Sequence, residues 1–470
     1  MKSKFIKGII LIYCYFIVYL ITSNVNLKAS NLTLDSAIKI GILNNNELRI
    51  SLLEIEKAEN AVREAKGRAF PSLDFTTSFY HYIQKPIFFF PDILALLNNS
   101  TYGILFKEEL LAQDQSKLLP LGLIKQSFVL QNQFESKLQF NQILFNSTVF
   151  RGIGASKIYL DLSKYKYKAT LAKTITQIKK AFYTCLLLKN VSEIYEQSLK
   201  NAEENLQLIS SLYNQGLVSE FELLQAEVQV ENLKPIVVNS RNSYENSLKN
   251  LKLVINLPIE KEIEPLGELE FFDYDIPNLE NSMSALIENN LDLKVLEYKR
   301  KIDIEMVELY RSEYYPSLVA FGNFSFAGQS DKLNFQTYTQ SLVGVQLSIN
   351  LFNGQQTKSR VQQSILNYKE TEEQIDQLKS FLKKQLSEKY FEIEKSKKQI
   401  LAQKKNIKLA EKAYQIAQTR YKEGTGIQLE LKNSELELRQ ARINYQQAVF
   451  EYILAIIDIE NILGVIQYEY

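Results

Sequence analysis

Apolar residues along this chain recur at two periods, and each period predicts a different element. In the stretch SLVGVQLSINLF, Val343, Val345, Leu347, Ile349 and Leu351 alternate with Gly344, Gln346, Ser348 and Asn350, the period-two signature of a strand with one apolar and one polar face. Leu73, Phe75, Thr77 and Phe79 alternate with Asp74, Thr76, Ser78 and Tyr80 in the same way. Leu138 and Phe140 among Lys137, Gln139 and Asn141 give a weaker instance, and Ser317 to Ala327 a weaker one still. Taken alone, this alternation favours a soluble sheet with one buried face.

The helical period is longer and more decisive. From Gln355 to Lys422 there is neither Pro nor Gly, which at about 1.5 Å per residue allows one rod of roughly 100 Å. No compact core encloses such a rod. The segment from Ile427 to Leu463 shows how it is buried: Ile427, Leu431, Ser434, Leu438, Ala441, Tyr445, Ala448, Tyr452, Ala455, Ile459 and Ile462 step by four and three, a coiled-coil seam with Ser434 as its polar exception. A second stripe, Leu429, Leu436, Ile443, Phe450 and Ile457, lies on the opposite side. Between the stripes run two polar faces, one with Glu430, Glu437, Asn444, Glu451 and Asp458, the other beginning with Gln428, Lys432, Arg439 and Arg442. A solid bundle wants one broad apolar face, whereas two apolar sides and two wet faces describe a stave of a hollow cylinder.

The chain is also duplicated. RYKEGTGIQLELKNSELE, Arg420 to Glu437, repeats LYNQGLVSEFELLQAEVQ, Leu212 to Gln229, at an offset of 208, which takes Tyr421 onto Tyr213, Gly424 onto Gly216 and Glu430 onto Glu222. At an offset of 245, Asn45, Leu48, Pro71 and Leu73 fall onto Asn290, Leu293, Pro316 and Leu318. Four parts are expected: an export signal over 1–30, a first repeat over 31–257, a linker over 258–278 and a second repeat over 279–470. The first repeat reads as helix, two strands separated by a long loop over 85–126, a very long helix and a further helix; the loop contains the residues the second repeat lacks.

Composition narrows the chemistry. Lys+Arg number 55 against 54 Asp+Glu in 470 residues, so no basic excess points to nucleic acid. His81 is the single histidine and Trp is absent, leaving little from which to build a His-based metal site or catalytic dyad, and no cofactor or enzyme activity is expected. Lys2, Lys4 and Lys7 precede an apolar run from Gly8 to Ile21, the pattern of a secretory signal. Four strands per chain do not close a membrane barrel, for which about eight is the minimum. If these strands form one, the chain is an oligomer.

Together, the opening LTLDSAIKIGILNNNELR, the helix-to-strand junctions FPSLDF and YPSLVAF, the strand exit LSINLFNG and the YNQG and YKEG turns resemble the TolC family of outer-membrane efflux channels. The resemblance runs from about Leu32 to Gly464. It implies an α+β membrane protein in which a long-helix coiled-coil α-barrel in the periplasm joins a transmembrane β-barrel, four strands per chain, closed only in a homotrimer. It implies a periplasmic adaptor, an inner-membrane transporter or secretion ATPase, and outer-membrane lipid as partners. The expected function is a passive conduit from periplasm to exterior.

The resemblance also assigns roles at the two turns. Gly216, Leu217 and Val218, with Gly424, Thr425 and Gly426, become adaptor-contacting hairpin tips. Glu222 and Tyr421 become a gate latch, and Glu430 with Asn433 an entrance constriction. Relatives carry an arginine at the position of Gly426 and a second acid at that of Asn433, so a weaker latch and a single carboxylate ring are expected. The competing reading is a pore-less periplasmic or surface coiled-coil scaffold, which accounts for the helices and leaves the strands unexplained.

Overall fold

The computed structural model describes residues 31–275 and 277–465, so the expected export signal lies outside the described residues. The chain runs through α1 (Leu34–Asn44), α2 (Asn46–Gly67), β1 (Ser72–His81), β2 (Phe88–Pro91), α3 (Ile93–Lys107), β3 (Leu123–Gln126), β4 (Asn132–Phe145), α4 (Ser147–Asn214), α5 (Glu220–Val254), α6 (Leu279–Asn289), α7 (Leu291–Arg311), β5 (Ser317–Ser330), β6 (Gln336–Ser348), α8 (Gln356–Lys422) and α9 (Gln428–Ile462). Two compact units result: one contains the residues up to Glu59, Ile158–Ile302 and those from Asn367 onward, the other Asn60–Lys157 and Asp303–Leu366. None of the described helices is long and apolar enough to cross a membrane.

The first unit is helical. Its α1–α2 and α6–α7 pairs break at asparagines that the offset of 245 aligns: Asn45 Oδ1 accepts from Leu48 N at 2.9 Å, and Asn290 Oδ1 from Leu293 N at 3.0 Å. Each asparagine satisfies a donor at the start of the next helix and seats a leucine, Leu48 or Leu293, in the interior. The main core joins Ile178, Phe182 and Cys185 of α4 to Leu386 of α8 and Tyr452 and Ile456 of α9. Residues 258–275 pack on the same core through Ile263 and Leu269, and Tyr452 Oη there accepts from the backbone N–H of Tyr274. In α9 the seam residues Leu431, Leu438, Ala448, Tyr452, Ala455 and Ile459 are buried. The opposite stripe is exposed only at its start, with Leu429 53% and Leu436 47% exposed, and is buried by Ile457 at 3%.

The second unit carries an antiparallel sheet in the order β1-β4-β5-β6. Its register gathers the alternating side chains into two coherent faces. Leu73 pairs with Phe140, Phe75 with Leu138 and Phe79 with Phe134; Leu138 in turn pairs with Phe324 and Phe134 with Gly328; Ala320 and Leu318 meet Val345 and Leu347. The reverse face lines up Asp74 with Gln139 and Thr76 with Lys137. Gly328 leaves the space that the Phe134 ring fills, since a Cβ there would lie 2.5 Å from it. Both edges, β1 and β6, have no strand partner among the described residues.

Residues 85–126, expected to be a loop, hold structure of their own. Strands β2 and β3 pair antiparallel, and α3 starts at Asp92, whose side chain accepts from Ala95 N. The apolar run after Asp92 is a capped helix, with an N-cap signal visible in the sequence.

Candidate functional site

The connections 215–219 and 423–427 turn α4 into α5 and α8 into α9. Their backbones share two closing bonds at the offset of 208, and Gly426 N–H adds one to Arg420 O at 3.0 Å that Val218 does not match. Leu217 N–H donates to Leu212 O at 3.0 Å, and Thr425 N–H to Arg420 O at 2.9 Å; Gly216 N–H donates to Tyr213 O, and Gly424 N–H to Tyr421 O. This is the Schellman closure of a helix end, and it requires a left-handed residue: Gly216 has φ +73° and Gly424 φ +72°. The repeated glycine therefore has a backbone reason. The two turns pack on one small core formed by Ile209, Ala226, Tyr421 and Leu431, with Val218, Leu223 and Tyr414 against it.

The side chains close the two turns differently. At the first, Ser219 caps α5: Glu222 N–H donates to Ser219 Oγ at 3.3 Å, and Ser219 N–H donates back to Glu222 Oε2 at 3.1 Å, the reciprocal capping box. At the second, the capping position is Ile427, which supplies no side-chain bond. Glu430, the counterpart of Glu222, is ion-paired with Arg420 at 3.2 Å, both side chains about half exposed. Arg420 also donates to Thr425 O at 3.2 Å, and Thr425 Oγ1 donates to Arg420 O at 3.2 Å.

Arg420 was not singled out by the sequence reading, yet the offset marks it, because the first turn has Leu212 there. It supplies a cation beside Glu430 that the sequence reading looked for at Gly426. A Cβ on Gly426 would lie 3.1 Å from Arg420 Cβ and from Tyr421 N, so that position is crowded in this fold.

Glu222 and Tyr421 are not hydrogen-bonded to each other within the chain. The Glu222 carboxylate is taken up by its own cap, and Tyr421 Oη, in a residue only 7% exposed, has no partner. Burial, and then the negative charge of Glu222, raise the Tyr421 phenol above its ordinary value. Tyr421 borders a cavity of about 270 Å³ lined also by Asn201, Asn205, Tyr414 and Glu435. Gln428, assigned to a wet face by periodicity, is instead 4% exposed, with both amide atoms unpartnered. Asn433 is exposed. Gly216, Leu217, Gly424 and Thr425 form exposed turn surface, while Val218 and Gly426 are half-buried.

Other notable polar groups are structural. His81 ends β1 and bonds to Asn132 Oδ1 at 2.7 Å across the sheet. Asp458, on the acidic face of α9, is paired with both Lys180 and Lys389. No cluster of three or more His, Cys, Asp or Glu among the described residues could hold a metal ion.

The fold is shared with solved outer-membrane channels. The outer membrane protein VceC of Vibrio cholerae matches 92% of this chain and 96% of its own with a TM-score of 0.70 at 15% identity. In sequence, the alkaline protease secretion protein AprF of Pseudomonas aeruginosa is 23% identical over 248 residues, 50% of this chain and 49% of that protein. The outer membrane protein TolC of Salmonella enteritidis is 24% identical over 257 residues, 52% of this chain and 51% of that protein. The chain thus spans about half the length of these curated relatives. The family model described as outer membrane efflux protein matches residues 129–257 and 283–465, taking in β4 to β6, both long helices and both turns, which leaves the pore-less scaffold without support. On that match, which covers most of the chain and both of its repeated turns, this protein belongs to the outer membrane efflux protein family.

Proposed function

We propose that this protein is the outer-membrane conduit of an efflux or secretion apparatus, working as a homotrimer that carries out no chemistry itself. The observation that carries the proposal is the open sheet. Its outward-facing Phe75, Val343 and Val345 are 69%, 90% and 62% exposed, and its edges β1 and β6 present unpaired backbone groups that a membrane does not tolerate. With four strands in antiparallel order, β1 and β6 run in opposite directions. The β6 of one copy then pairs antiparallel with the β1 of the next, and three copies give a barrel of about twelve strands, an even number within the known range. The exposed stripe of Leu429 and Leu436 on α9 is the surface a neighbouring stave would cover.

The turns are the entrance. Six tips in a trimer form one ring, in which Glu430 and Asn433 line the constriction and Glu222 leaves its cap to accept from Tyr421 Oη in the closed state. The tip residues Gly216, Leu217, Val218, Gly424, Thr425 and Gly426 dock a periplasmic adaptor that links the channel to an inner-membrane transporter or secretion ATPase. AprF is named as an alkaline protease secretion protein, and a polypeptide is therefore one candidate cargo here.

The test is the mass and conductance of the purified protein. A detergent-solubilised, heat-sensitive trimer that opens ion-conducting pores in a planar bilayer is expected. A monomer retaining full strand content, or a trimer without conductance in any variant of the tips, overturns the proposal.

A further inference from the structure

The segment over 85–126 lies outside the residues matched by the family model, and its helix α3 is built inside out. The asparagines of α3 and its capping aspartate are spent on the segment's own backbone. Asn99 Nδ2 donates to Leu119 O at 2.8 Å and its Oδ1 accepts from Leu119 N at 2.7 Å, while Asn98 donates to Lys117 O at 2.7 Å and Asp92 caps α3. Its apolar side chains point away: Leu94 is 77%, Leu97 60%, Ile104 61%, Leu110 70% and Leu123 68% exposed. Ala95 is its one buried residue. The helix positions 93–106 carry no charged residue. The apolar face of α3, with its asparagines turned onto the segment's backbone and charges such as Lys107 and Glu108 confined to its end, is ordered for a non-aqueous neighbour.

The neighbour follows from where the segment is attached. It leaves the sheet just after His81 and returns just before Asn132, the last pair of the β1–β4 ladder, at the end opposite the helix connections. There Lys85 is ion-paired with Asp331, and Asp331 accepts from Gln131 N at 2.9 Å, which ties the segment to the rim on both sides. The same end carries an aromatic cluster, with Phe335 edge-on to Phe79 at 6.4 Å and to Phe134 at 5.1 Å. Phe79 and Phe134 belong to the apolar face of the sheet, and an aromatic girdle is what a membrane-spanning strand places at the lipid interface. The apolar surface of the segment thus starts at the interfacial girdle.

We infer that residues 85–126 form a lipid anchor, with α3 lying in the outer-membrane interface beside the barrel rim and burying Leu94, Leu97 and Ile104 among acyl chains. This rests on the sheet being the lipid-facing wall proposed above. The anchor holds each subunit at a fixed depth and keeps the strand-to-strand connection of the first repeat out of the channel mouth.

Because the chain has no tryptophan, a single Leu97→Trp substitution places one reporter on α3. The trimer is reconstituted in nanodiscs made with or without phospholipid brominated on its acyl chains. A second protein with Phe75→Trp reports the barrel wall, and Ile104→Trp replaces Leu97→Trp should that variant fail to assemble. The expected result is that α3 tryptophan emission is blue-shifted, loses at least about half its intensity to brominated lipid, and resists aqueous iodide. Quenching at Phe75→Trp without quenching on α3 overturns the anchor: iodide-sensitive emission would place α3 in water, and iodide-resistant emission would place it against another copy of the chain. Absence of quenching at Phe75→Trp would instead sink the lipid-facing sheet itself.

Discussion

At the first turn Glu222 is held by Ser219, and at the second its counterpart Glu430 is held by Arg420. The backbones share their two closing bonds, and the side-chain closures differ. Two differences between the repeats explain this together: Ser219 becomes Ile427, removing the cap, and Leu212 becomes Arg420, adding a cation one turn away. A carboxylate released from a cap thus gains an ion pair. The first closure is local, within one turn of α5, and independent of ionic strength to first order. The second bridges the end of α8 and the start of α9 through half-exposed charges that salt screens. A ring containing both kinds of tip has one set that responds little to salt and one that responds strongly.

The largest effects test the shared backbone. Gly216→Ala and Gly424→Ala place a Cβ where no atom lies within 4 Å, so each pays only the left-handed strain of about 1–2 kcal/mol. Amide exchange at Leu217 and Thr425 should accelerate by about tenfold in both variants; a large inequality would break the claim that the turns are equivalent. Gly426→Ala should add a penalty with no parallel at Val218, because its Cβ meets Arg420 and the Tyr421 backbone.

Next come the caps. Ser219→Ala should destabilise the start of α5 by about 1 kcal/mol, read as faster exchange of Glu222 N–H, whereas Ile427→Ala should leave the start of α9 nearly unchanged. The exchange of chemistry can be attempted directly. Ile427→Ser should draw Glu430 into a capping box and abolish the salt sensitivity of that tip, and persistent salt sensitivity would mean that Arg420 outcompetes a cap.

A smaller energetic effect carries a larger functional one. The Arg420–Glu430 pair is half exposed and is worth only about 0.2–1 kcal/mol, so Arg420→Leu should hardly change stability. It unmasks the carboxylate, however, and multivalent cations should then block bilayer currents several-fold more strongly than in the unmodified channel. Adding Glu430→Gln should remove the gain, and block that ignores both substitutions would take Glu430 out of the constriction.

The smallest effect is at Tyr421. Its phenol is raised above the ordinary value by burial, with Glu222 adding to it. The folded protein therefore holds the neutral form, and its stability contribution is complete below the unfolded phenol pKa of about 10. It is lost as pH climbs through the higher folded value. Tyrosinate absorbance should show a late-titrating component, to which other raised phenols such as Tyr183, Tyr244 and Tyr414 contribute; it should lose one phenol in Tyr421→Phe, and that share should move to lower pH in Glu222→Gln.

Much of this architecture was legible along the chain. Alternation located the strand residues Leu73 to Phe79 and Val343 to Leu347, and register then placed them on one face. The absence of Pro and Gly from Gln355 to Lys422 announced α8. Seam residues such as Leu438 and Tyr452 are buried as their spacing required. Each of these signals is local, a periodicity or an absence of helix breakers along the chain, and is readable without knowing which distant segment supplies the packing partner.

What folding alone decided depends on residues distant in sequence or on competition for one group. Lys85 finds Asp331 across 246 positions, and no local rule pairs them. Gln428 reads as polar surface until the packing of the turns buries it. Glu430 had two possible holders, and only the approach of α8 to α9 brought Arg420 within 3.2 Å. In residues 85–126 the tertiary structure turned Asn98 and Asn99 onto the backbone at Lys117 and Leu119 and left Leu94 and Leu97 exposed, because a backbone group outside any ladder needs a polar partner and only the polar side chains offer one.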